Sequence, residues 1–91
     1  MCDNFQEIEE LLKQLIKSVI GSFQDVEITE VQEFVDVGEY GVALETFVSI
    51  VEEESRLISI DSVALVKKSA HLMDMDESSI ELKLRSQILE S

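Results

Sequence analysis

Residues 40–54 read YGVALETFVSIVEEE, and how that stretch folds decides the architecture. Coiled as a helix over Tyr40–Glu54, it would be apolar on most sides, with relief only at Glu45, Thr46 and Ser49. A helix that apolar belongs in the middle of a bundle. Its β-branched residues leave a strand open, but the segment is long for a strand and has no internal turn residue. Helix is the better reading.

The flanking segments have the amphipathic spacing that would cover such a helix. From Asn4 to Ile20, the apolar residues Phe5, Ile8, Leu11, Leu12, Leu15, Ile16, Val19 and Ile20 fall three and four apart, forming one stripe. Asp3 or Asn4 suits its N-cap, Glu7 its first turn and Gly21 its stop. A second helix is expected from about Glu27 or Thr29 to Val37, with Ile28, Val31, Phe34 and Val35 inward. Glu27, Glu30, Glu33 and Asp36 recur every three residues. Each such step falls about 60° short of a full turn, so these carboxylates should cover a wide outer face. Gly38 should end that helix in the left-handed conformation.

Downstream, Ser59 suits the N-cap of a fourth helix, with Asp61 in its first turn and Ile60, Val63, Ala64, Val66, Ala70 and Met73 inward. The segment from about Asp76 to Leu89 fits two patterns. Ser-Ile-Glu-Leu-Lys-Leu-Arg alternates as a strand would, whereas Ile80, Leu84 and Ile88 fit a helix capped by Asp76 or Ser78. Helix is preferred, because a lone strand would have no obvious partner. The expected fold is all-α: a single domain over residues 1–91, built as a bundle of four to five helices. A domain of this length buries only about 60–65% of its unfolded surface, leaving little room for a deep active site.

Charge narrows the possible functions. Twenty Asp and Glu stand against seven Lys and Arg, a net charge of −13, while 45% of the chain is apolar. The apolar content argues against a disordered acidic tail. The acidity opposes binding to nucleic acid, whose phosphates need cations, and docking on anionic membranes. A basic protein is the natural partner. The acidity is also localised: between Ser18 and Ser55 every charged residue is Asp or Glu. The basic residues sit in the flanking helices or at Arg56.

No chemical motif stands up to its structural alternative. His71 is the only histidine and shares the outer face of the fourth helix with Lys67 and Lys68. With Cys2 the only cysteine, neither a zinc constellation nor a Cys–His dyad can be assembled, and no disulfide can form within the chain. Asp74-Met75-Asp76-Glu77-Ser78 begins like a calcium loop, but its sixth and twelfth positions hold Ser79 and Arg85, where glycine and glutamate are needed. Ile60-Asp61-Ser62-Val63 is similar to the phosphopantetheine site of small acidic carrier proteins. Their following helix is acidic, whereas here it carries Lys67 and Lys68, so Ser62 reads as a first-turn residue. Glu52, Glu53 and Glu54 fan apart over about 200° and read as a solvated helix end. Acids at a helix C-terminus are opposed by the macrodipole, which hints at selection for a basic partner. No enzyme activity, cofactor, metal or small-molecule substrate is expected. No signal peptide or membrane span is apparent, so the expected compartment is the cytoplasm.

The stretch EVQEFVDVGEYGVALETFVSIVEEESRLIS, residues 30–59, resembles the Maf-type and contact-dependent growth inhibition immunity proteins of bacterial polymorphic toxin systems. The matching residues are Phe34, Gly38, Glu39, Tyr40, Ala43, Leu44, Glu45, Glu53, Ile58 and Ser59, with Gly38-Glu39-Tyr40 the most specific of them. The likeness extends over roughly half the chain, from Ile28 to about Asp76. Val37 departs from it, being apolar where the family would be polar, so contacts at this turn are expected to differ. The resemblance implies a cytoplasmic antitoxin that binds a cognate toxin domain, often a nuclease, and blocks it. An acidic helical surface suits a nuclease's basic groove. The expected partner-binding residues are the exposed carboxylates Glu30, Glu33, Asp36, Glu39, Glu52, Glu53 and Glu54. The alternative is an acidic adaptor or regulatory subunit that docks some other basic protein.

Overall fold

The computed structural model describes residues 5–89. Along the chain run α1 (Phe5–Ser18), α2 (Asp25–Asp36), α3 (Tyr40–Glu53), β1 (Ile58–Ser59), α4 (Ile60–Leu72), α5 (Glu77–Leu84), a 3-10 turn (Arg85–Gln87) and β2 (Ile88–Leu89). The fold is an all-α bundle. As its sequence demands, α3 occupies the centre and touches each of the other four helices. Ala43, Leu44, Phe47, Val48, Ile50 and Val51 are buried on it, and the Phe47 ring stacks on Phe23 at 5.1 Å between centroids.

α1 buries its apolar stripe as expected from Ile8 to Val19, but it stops at Ser18. Ser18 Oγ donates to the Leu15 carbonyl at 2.6 Å, and Gly21 turns the chain with φ +103°. Ile20 is thereby left exposed rather than inward. Phe5, also expected on the stripe, is 65% exposed and lies 6.3 Å from the Tyr40 ring. Asp3 and Asn4, the expected caps, fall outside the described residues, as does Cys2.

α2 starts earlier than the sequence suggests. The Gln24 N–H donates to Glu27 Oε1 at 2.8 Å, so Glu27 serves the first turn and pulls Asp25 and Val26 into the helix. At its other end, Gly38 (φ +81°) donates to the Val35 carbonyl and Glu39 to that of Phe34, a Schellman pair of bonds. The same pattern ends α4, with Asp74 (φ +59°) donating to His71 and Met75 to Ala70. Nothing in an aspartate announces that turn, because glycine is the usual left-handed residue there.

The inner face of α4 meets the expectation at Val63, Val66 and Ala70, with Met73 packed against the core, and departs from it at Ile60 and Ala64. Ser62, Val63, Val66, Ser69 and Ala70 are buried, whereas Ile60 is 58% exposed and Ala64 is exposed too. Hydropathy missed Ser62 and Ser69, two serines that belong to the core. Ser62 Oγ meets Ser18 Oγ at 2.7 Å and Ser59 Oγ at 3.1 Å, and Ser69 Oγ donates to the Leu65 carbonyl. Their hydroxyls are therefore satisfied although buried. Ser59 caps α4 as expected, accepting from the Ser62 N–H.

The C-terminal segment is part helix and part strand. Asp76 caps α5 by accepting from the Ser78 and Ser79 N–H groups. The helix gives way at Arg85, and Ile88–Leu89 pairs in parallel with Ile58–Ser59. The strand partner that the sequence did not reveal is the short segment leading into α4.

Candidate functional site

All seven carboxylates expected to meet a partner, Glu30, Glu33, Asp36, Glu39, Glu52, Glu53 and Glu54, are exposed. They do not form one patch. On α2, Glu30, Glu33 and Asp36 fan across the outer side in steps of about 60°, and Glu39 continues from the turn after it. Asp36 lies toward α1. Lys13 there is bound to Glu9 at 3.0 Å, which raises the lysine's pKa, with smaller contributions from Glu10 and Asp36.

Glu30 points the other way, into a groove of about 540 Å³ between α2 and α3. The α3 wall is one stripe: Val42, Glu45, Thr46, Ser49 and Glu53 recur at helical spacing. This is the relief seen in the sequence, and it is the one side of α3 on which polar residues replace the core set. Val26 and Glu30 face it from α2, and Glu54 closes one end. Glu30, Glu53 and Glu54 are thus brought together, while Glu33, Asp36, Glu39 and Glu52 lie outside. Glu45, Val26 and Val42 belong to the same groove. The sequence marked Glu45 as an interruption in an apolar helix, but nothing in it showed that α2 would stand opposite.

Glu27 corrects the sequence reading. Placed on the outer face by its spacing, it is only 8% exposed. Arg56 donates to it through Nε at 3.2 Å and Nη2 at 3.1 Å, binding both carboxylate oxygens. The pair ties the first turn of α2 to the chain just beyond α3 and so sets one end of the groove. It also neutralises Arg56, the one cation between Lys17 and Lys67. Burial pushes the Glu27 carboxyl upward, but the Gln24 N–H and the Arg56 guanidinium outweigh it and hold the pKa below the ordinary 4.5.

That depression has a defined sign. A carboxyl with a lowered folded pKa contributes stability that is present above its ordinary value and lost as pH falls through the folded one. Glu27→Gln keeps an acceptor for the Gln24 N–H and removes the charge. Because the pair retains some solvent access, we expect a loss of about 1–2 kcal/mol at pH 7 rather than the full penalty of a dry ion pair. The gap between the wild-type and variant melting temperatures should close as pH falls below about 4. A gap that stayed constant down to pH 3 would show that the charge contributes nothing.

The remaining motifs take structural roles. Ser62 is fully buried, so its hydroxyl is not presented for modification as a carrier serine would be. His71 is exposed and meets Glu77 through Nδ1 at 3.0 Å, and Lys67 pairs with Glu81 at 3.5 Å. Among the described residues no cluster of three or more His, Cys, Asp or Glu could hold a metal ion, and no helix is long and apolar enough to cross a membrane. Comparison of the chain with known protein families, curated proteins and solved structures finds no match.

Proposed function

We propose that this protein is an immunity protein: a binding module that neutralises a cognate bacterial toxin domain by covering a basic groove, with a nuclease the toxin chemistry that fits best. The observation that carries the proposal is that α2, α3 and the turn between them bear exposed carboxylates and no lysine or arginine. The nearest cation in sequence, Arg56, is held by Glu27, and Lys83 of α5 lies in the neighbouring recess that shares Glu45 and Ser49. Such a surface has the sign and form of a phosphate mimic for a groove built to hold nucleic acid. The likeness of residues 30–59 to Maf-type and contact-dependent inhibition immunity proteins supports the same reading. In this reading the chain works without cofactor, metal or small-molecule substrate and does no catalysis. It acts in the cytoplasm, where a toxin would threaten its producer.

The test is co-expression with the polypeptide encoded immediately upstream, where an immunity partner belongs. Cells should survive with both and die with the upstream product alone. In the purified pair, the on-rate should fall at least about tenfold between 0.05 and 1 M salt, since screening contracts to about 3 Å at 1 M, while the off-rate changes less. Salt-steered binding to a basic protein without protection would instead favour an adaptor. A salt-independent on-rate would reduce the acidic surface to a solubility device.

A further inference from the structure

The expected contact residues surround a surface too broad for one binding event, and the groove divides them. Its α3 wall is the polar side of the central helix, flanked by α2 and, at Glu45 and Ser49, by α5. Val42 is 38% exposed there, and Val26 opposite is 71% exposed. Two exposed valines, one on each wall, give a largely polar channel an apolar strip. Glu30, Glu45, Glu53 and Glu54 stand around them, and no Lys or Arg lines the channel. Glu33 and Asp36 lie outside this recess.

A channel with an apolar strip set among carboxylates fits one kind of side chain particularly well. Arginine has an apolar stem that lies along valine surface and a weakly hydrated, planar head that forks between carboxylates. Lysine offers the same charge as a compact, strongly hydrated point and loses more on entering a partly desolvated channel. The groove, at about 540 Å³, holds more than one such side chain.

We propose that the α2–α3 groove is the specific contact of this protein and receives an arginine-bearing segment of the basic partner, the outer carboxylates serving to attract it. This rests on the reading of the chain as a binder of a basic protein. It assigns retention of the partner to Val26, Glu30, Val42, Glu45 and Glu53, and capture to Glu33, Asp36, Glu39 and Glu52.

The test uses the full chain labelled with 15N, titrated at low salt with two peptides, one alternating alanine and arginine and the other alanine and lysine. Amide shifts should concentrate at Val26, Glu30, Val42, Glu45, Ser49 and Glu53, with the arginine peptide binding at least threefold more tightly. The double variant Val26→Ser with Val42→Ser keeps the net charge, and its melting curve verifies the fold. It should bind the arginine peptide about tenfold more weakly, because each substitution removes apolar surface along which the arginine stem would lie. Shifts spread evenly over the outer acids, equal affinity for both peptides, or a serine variant that binds like wild type would each overturn the groove and leave the basic-partner reading standing. No binding of either peptide at low salt would overturn both.

Discussion

Reversing the groove charges, Glu30→Lys with Glu45→Lys and Glu53→Lys, should abolish neutralisation of the partner by accelerating its release. Three substitutions of −1 by +1 change the net charge by six, from −13 to −7. The outer triple Glu33→Lys, Asp36→Lys and Glu39→Lys changes it by the same six. Long-range attraction therefore weakens equally in both, and any difference between them reports local contact. Close charge pairs across an interface couple by about 1.5–7 kcal/mol, and each 1.4 kcal/mol is tenfold in affinity. Three lost pairs in the groove should weaken binding by about a thousandfold, with most of the effect in the off-rate. The outer triple should lose mainly on-rate, perceptible at low salt and muted at high salt. Lys67→Glu with Lys68→Glu, on the opposite-signed helix, should leave protection intact. Equal off-rates for the two triples would remove the groove's special role, and full protection by both would place the binding surface elsewhere on the molecule.

Phe47→Ala should be the most damaging single substitution to the fold. Phe47 is fully buried at the middle of α3, stacked on Phe23. Truncating a buried phenylalanine costs about 3–5 kcal/mol, a large share of the roughly 5–15 kcal/mol that holds a domain together. For a domain of this size, that lowers the melting temperature by roughly 12–40 °C. Thermal unfolding followed by far-UV circular dichroism measures it directly. A fall of less than 5 °C would mean that the ring is not packed as described.

Tyr40 to Glu54 determined the architecture by itself. A helix apolar on nearly every side has no stable place except among other helices, and the flanking stripes of three-and-four spacing supply them. Gly38 was equally legible, because a left-handed turn after an apolar helix selects glycine. Localised acidity was legible as well, since charge adds along the chain whatever the fold. Several features depended on which elements meet. Glu27 has the same spacing as Glu30 and Glu33, and only the arrival of Arg56 from beyond α3 turns it from a surface acid into a buried anchor. Ser62 and Ser69 read as polar, yet they sit in the core because Ser18, Ser59 and a carbonyl satisfy them. Ile88 found its strand partner at Ile58, thirty residues away. The groove arises the same way: Glu45 marked one wall, but Val26 and Glu30 became the other only when α2 packed beside α3. Periodicity and charge are local sums that a sequence carries openly, whereas pairings and recesses belong to distances between segments and exist only once the chain has folded.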